Sequence, residues 1–149
     1  MSNRVSVSAH VDVAVPPDRA FAELIDAGGQ QRWMLGTTVH PLAGTVESPA
    51  VGSRLVAFTG LAGMGVLDVM QVTVYDPDHQ WVVAHEGRVI QGSGTFQVDP
   101  TPTGSRVSWT EDLTLPFGVI GRLGWPLVRP AVRWCLQRSM DKFARLFSG

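Results

Sequence analysis

Glu111 is the carboxylate best placed for chemistry in this sequence. It lies in the segment Val107-Ser108-Trp109-Thr110-Glu111-Asp112-Leu113. At the two-residue period of a strand, Val107, Trp109, Glu111 and Leu113 share one face. If Val107 and Leu113 face the interior, Glu111 does too, where it would be poorly solvated and suited to general acid or base work. Two plainer fates compete with that reading: an ion pair with Arg122 or Arg32, or a carboxylate that reaches water at the end of the sheet. His85 is a candidate assistant: an imidazole beside Glu111 would pair a base with a group that orients it, though no spacing in the sequence shows that the two meet. His40 also falls on a strand-like stretch and could face an interior space. His10 lies on the polar side of the first segment, and His79 sits in a turn.

Other chemistries lack their residues. The histidines show no H-x-E-x-H or H-E-x-x-H spacing, so neither a metal site nor a cofactor is expected. Cys135 is the only cysteine. It can form no intrachain disulfide, and without a positioned base it reads as a small packing or cavity-lining residue. No G-x-S-x-G elbow is present. Gly92-Ser93-Gly94 lies inside a strand and marks a bulge or a close approach of the terminal helix. Gly60-Leu61-Ala62-Gly63-Met64-Gly65 lacks the lysine and hydroxyl of a phosphate loop. It reads as an apolar hairpin tip, either an ordinary long turn or a gate over a cavity.

The elements that must position these groups are legible from periodicity. Val5, Val7, Ala9, Val11, Val13 and Val15 alternate with mostly polar residues, which is a strand with one buried face. After Pro16-Pro17-Asp18, the residues Ala20, Phe21, Leu24 and Ile25 recur at helical spacing until Gly28-Gly29, and a second short helix or turn covers Gln30 to Leu35. Six strands follow: 37–42, 54–59, 67–75, 80–85, 89–99 and 105–115, divided by Gly, Pro and Asp clusters. Residues 118–125 form a short helix or ordered loop. Pro130 then starts or kinks a final helix to Phe147, with Val132, Leu136, Met140, Phe143 and Phe147 along one stripe. The expected fold is α+β. A curved, seven-stranded antiparallel sheet wraps a long terminal helix, with two short helices after the first strand, and residues 1–149 form one domain. Such a layout leaves a concave space between sheet and helix, where small molecules bind.

Composition agrees with a ligand-holding domain. The chain has 149 residues, 44% hydrophobic and only 17% charged, with a net charge of −1. That balance argues against nucleic-acid binding, which needs a basic surplus. From Pro116 onward, six basic residues face one acid, Asp141, so this tail is strongly basic and the remainder acidic. A solvated helix face accounts for this, and an acidic carrier protein or anionic membrane surface is the partner it would otherwise suit. No segment has the composition of a signal peptide or membrane span, so a cytoplasmic protein without stable membrane insertion is expected. Trp33, Phe58, Tyr75, Trp81, Phe96, Trp109, Cys135 and Met140 are the expected ligand-lining residues. Trp125 would cap the space, and Trp134 falls outside the helix stripe, exposed at an interface (a homodimer among them) or packed under a loop.

Several stretches carry a family resemblance. They are Val15-Pro16-Pro17-Asp18-Arg19-Ala20-Phe21 with Leu24-Ile25-Asp26 and Trp33; Val51-Gly52-Ser53-Arg54; Val72-Thr73-Val74-Tyr75-Asp76-Pro77; and Gly94-Thr95-Phe96 followed by 104–113. Together with the order of elements, they resemble the START-like, helix-grip (SRPBCC) superfamily, in particular its bacterial polyketide cyclase/dehydrase-like members. The resemblance implies binding of a hydrophobic small molecule, such as a lipid, polyketide or aromatic, between sheet and terminal helix. The alternative it implies is a polyketide cyclase or dehydratase using Glu111 as acid/base, with His85 or Tyr75 assisting. Fold alone does not choose between them.

Overall fold

The computed structural model describes residues 3–43 and 46–148. Seven strands form one antiparallel sheet: β1 (Arg4–Val13), β2 (Thr37–Pro41), β3 (Arg54–Leu61), β4 (Met64–Asp76), β5 (Gln80–Glu86), β6 (Gln91–Thr101) and β7 (Gly104–Thr114). Their spatial order is β1-β7-β6-β5-β4-β3-β2. Strands β2 to β7 run as a meander, each paired with its neighbour in sequence. Strand β1 pairs instead with β7, from Arg4↔Thr114 to Val13↔Ser105. Between β1 and β2 the chain crosses from one edge of the sheet to the other through helix α1 (Pro17–Leu24) and a 3-10 helix (Ala27–Arg32). Pro17 opens α1 where its missing N–H costs nothing. Gly28 and Gly29, expected to stop that helix, lie inside the 3-10 turn.

The β3–β4 connection is shorter than expected. Both strands run on through the glycine-rich stretch, and only Ala62 and Gly63 form the turn, with φ of 55° and 78°. A two-residue turn with both centres at positive φ matches the right-handed twist of the strands, so the strands pair up to Leu61↔Met64.

The terminal helix, α2 (Gly118–Arg145), begins twelve residues before Pro130 and runs through both Pro126 and Pro130. Both prolines are on exposed positions. Each removes one helical hydrogen bond, and at the surface the freed carbonyls can be hydrated. The second half of α2 carries all its buried residues, Leu136, Ser139, Met140 and Phe143. The first half leaves apolar side chains exposed, Leu127 by 85%. No helix among the described residues is long and apolar enough to cross a membrane.

The core centres on Trp33, fully buried and in edge-to-face contact with Phe96, Trp109 and Phe143 at 5.7, 5.9 and 5.3 Å. Trp33 thus ties the 3-10 segment to the sheet on one side and to α2 on the other. Ser139 reinforces the join: its hydroxyl accepts from the Leu35 N–H at 2.9 Å and donates to the Cys135 carbonyl at 2.8 Å.

Candidate functional site

The inward face of the sheet is set by period two. It presents Leu55 and Ala57 of β3, Met70 of β4, Trp81 and Val83 of β5, and Phe96 of β6. Trp81, Phe96 and Trp109 are partners in register across β5, β6 and β7, with ring centroids 6.0 Å and 5.5 Å apart. Between this face and α2 lies a cavity of about 490 Å³, closed on the helix side by Val132, Cys135 and Leu136. The concave face of the curved sheet does not meet α2 along its whole length, and space remains between them.

Three inward positions on this face carry charge: Asp68 on β4, His85 on β5 and Glu111 on β7, all on the cavity wall. Asp68 is in phase with Met70, and Met70 pairs with His85. Glu111 pairs with Gly94 of β6, and because Gly94 has no side chain, the Glu111 carboxylate extends over it toward β5. His85 therefore bridges two acids. Its Nδ1 is 2.6 Å from Asp68 Oδ2, and its Nε2 is 2.8 Å from Glu111 Oε2. The Trp109 indole N–H donates to Glu111 Oε1 at 2.8 Å. The side chains are 6%, 7% and 13% exposed for His85, Asp68 and Glu111. Burial alone would lower the His85 pKa. The hydrogen bonds it donates to Asp68 and Glu111, and their charges, outweigh that and raise it to about 10. His85 is thus an imidazolium at neutral pH, donating from both nitrogens.

The remaining expected site residues are distributed as follows. Trp81, Phe96, Trp109 and Cys135 line the cavity; Trp33, Phe58, Tyr75 and Met140 do not. Trp33 and Met140 are wholly buried behind the wall. Phe58 alternates with Ala57 and Thr59, so it projects from the other face of β3. A register shift in β4 between Val72 and Val74 turns Tyr75 onto Phe21, 6.1 Å away. His40 is exposed beside the buried Val39. Gly92 and Gly94 mark no bulge in β6, which pairs continuously with both neighbours. Arg32 pairs with Glu23 and not with Glu111. Trp125 packs against the core, and Trp134 is 60% exposed. Asp68 was not singled out from sequence. Its signal is a lone acid in phase with Met70 and Val72, in a stretch with few other charges.

A family model described as polyketide cyclase / dehydrase and lipid transport matches residues 4–148. No curated protein matches the chain. Solved structures with the same fold include TTHA0849 from Thermus thermophilus, at 17% identity and TM-score 0.78 over 95% of each chain. The di-domain ARO/CYC StfQ from the steffimycin biosynthetic pathway matches at 13% identity and TM-score 0.74, over 97% of this chain and 50% of that one. The Aha1 dimer from Colwellia psychrerythraea matches at 18% identity and TM-score 0.54, over 89% of this chain and 96% of that one. At these identities the likeness is one of fold. A family match over nearly the whole length, on a curved sheet that grips a helix around an apolar cavity, leads to one conclusion: the chain belongs to the polyketide cyclase/dehydrase and lipid transport family.

Proposed function

We propose that this protein binds a single hydrophobic small molecule, of lipid, polyketide or aromatic type, in the cavity between the sheet and α2. The observation that carries this reading is the cavity itself: about 490 Å³, walled by aromatic and aliphatic side chains, with one charged cluster. That is the size and lining of a site that holds a small ligand by apolar contact and orients it by a few polar groups. Native mass spectrometry of the gently purified protein tests it. A co-purifying small molecule, displaced by added apolar compounds, is the expected result; a cavity that takes up no apolar compound would overturn it.

The Asp68–His85–Glu111 row favours a second reading, acid–base catalysis on a polyketide-like intermediate. In it, the Glu111 carboxylate takes a proton from a carbon beside a carbonyl and returns it to a departing hydroxyl, which leaves as water. The His85 imidazolium, held by Asp68, keeps that carboxylate in position. The cavity contributes by folding the substrate, which can supply much of the rate. The shared fold with the ARO/CYC protein StfQ supports it. Glu111→Gln is expected to abolish turnover and to leave the affinity for a wholly apolar ligand within a few-fold. An equally active variant would remove Glu111 from the mechanism.

A further inference from the structure

The polar groups on the cavity wall are unbalanced between donors and acceptors. The Gln30 amide donates to the Leu24 carbonyl at 2.7 Å, and the Ser139 hydroxyl to the Cys135 carbonyl. Thr37 and Thr59 bond each other at 3.0 Å, and Thr37 reaches the Leu35 carbonyl at 3.2 Å. The Trp109 indole N–H and both nitrogens of His85 are committed to Glu111 and Asp68. Each of these donor groups is bonded within the protein, the Gln30 amide through one of its two N–H groups. At the charged cluster itself, the capacity that remains is acceptor capacity. Asp68 Oδ1 is buried with no hydrogen-bond partner among the described residues. Each Glu111 oxygen accepts one bond and keeps a second lone pair. Two carboxylates against one imidazolium also leave the cluster with one net negative charge.

We propose that the cavity selects apolar ligands whose polar end is a hydrogen-bond donor (an alcohol, a phenol or a protonated amine) seated against Asp68 and Glu111, and that it rejects ligands ending in a carboxylate. A donor takes up the free lone pairs of Glu111 and, with a turn of the Asp68 carboxylate, an Oδ1 whose isolation is costly. A carboxylate brings a second uncompensated charge to a cluster with no free donor to receive it. The selection rests on the ligand-binding reading above and adds to it the chemistry of the ligand's head.

Four naphthalenes of matched size test this near neutral pH: 2-naphthalenemethanol, 2-naphthylmethylamine, 2-naphthoate and 2-methylnaphthalene. Each competes with the neutral dye N-phenyl-1-naphthylamine. The alcohol and the ammonium compound are expected to displace the dye at least roughly tenfold more effectively than naphthoate, as a charge-assisted hydrogen bond implies. Asp68→Asn, which replaces one acceptor by a donor and removes a charge, is expected to narrow that gap. Four equal affinities, or naphthoate the tightest, would overturn the head-group selection and leave the cavity reading standing. Failure of the dye and all four compounds to bind would overturn the cavity reading itself. If Asp68→Asn does not fold, the wild-type series decides alone.

Discussion

A methyl group at position 94 would sit 2.9 Å from Glu111 Oε1 and 3.3 Å from Oε2. The obstacle is the end of a flexible side chain, so Gly94→Ala is expected to fold and to push the carboxylate away from His85. His85 would then lose one of the two acids that raise its pKa. An imidazole titration by NMR is expected to show a lower His85 pKa in Gly94→Ala than the value of about 10 in the parent. The same shift has a consequence for stability. A histidine whose pKa rises from 6.5 to about 10 on folding stabilises the protein fully below pH 6.5 and loses that contribution as pH rises through 10. The melting temperature is therefore expected to fall across this window. In His85→Gln the slope should be absent, and the variant should be less stable at neutral pH by about 3 kcal/mol or more, because two buried carboxylates lose their counter-charge. A parent and a variant with parallel pH profiles would disprove the assignment. At this scale the sequence was partly readable. Strand alternation put Glu111 on the inner face, and His85 was a candidate partner for it, although no spacing in the sequence shows that the two meet. Asp68 was missed because its contact with His85 joins β4 to β5, and no local spacing reports a contact across strands.

Individual elements were more legible than their ends and connections. The valines of β1 alternate so regularly that only a strand with one buried face satisfies them. Helix α2 was foreshortened in the sequence reading because Pro130 carries a strong local stop signal. That signal lost because Pro126 and Pro130, four residues apart, both fall on exposed positions of the helix. The register shift in β4 had no sequence mark either; it brings Tyr75 into phase with Trp81 on the inner face, where it packs on Phe21 beyond the cavity. An interior proline disfavours a helix by about 3 kcal/mol relative to alanine. Pro126→Ala is therefore expected to stabilise the first half of α2, by up to about that amount. Hydrogen exchange of residues 119–130 would read it out as slower exchange. Unchanged or faster exchange there would mean that the prolines cost this helix nothing.

On the scale of the whole molecule, the low charge content has a location. The inner faces of β3, β5 and β6 are nearly free of charge except at His85, and the charges of the chain lie mostly on surfaces away from the cavity. The sheet order that builds this space follows from β1 pairing with β7, a contact about a hundred residues long in sequence that periodicity alone does not specify. The family pattern carried that part. One residue on the cavity wall also reaches solvent and is chemically unlike every other in the chain: Cys135, a free, exposed thiol. A maleimide label there needs no engineered site and no removal of competing thiols. Its rate of attachment becomes a clock for occupancy: a resident ligand is expected to slow alkylation, and a fluorophore placed there to change its emission as compounds enter and leave. The unmodified protein thereby carries its own sensor, against which any compound can be screened.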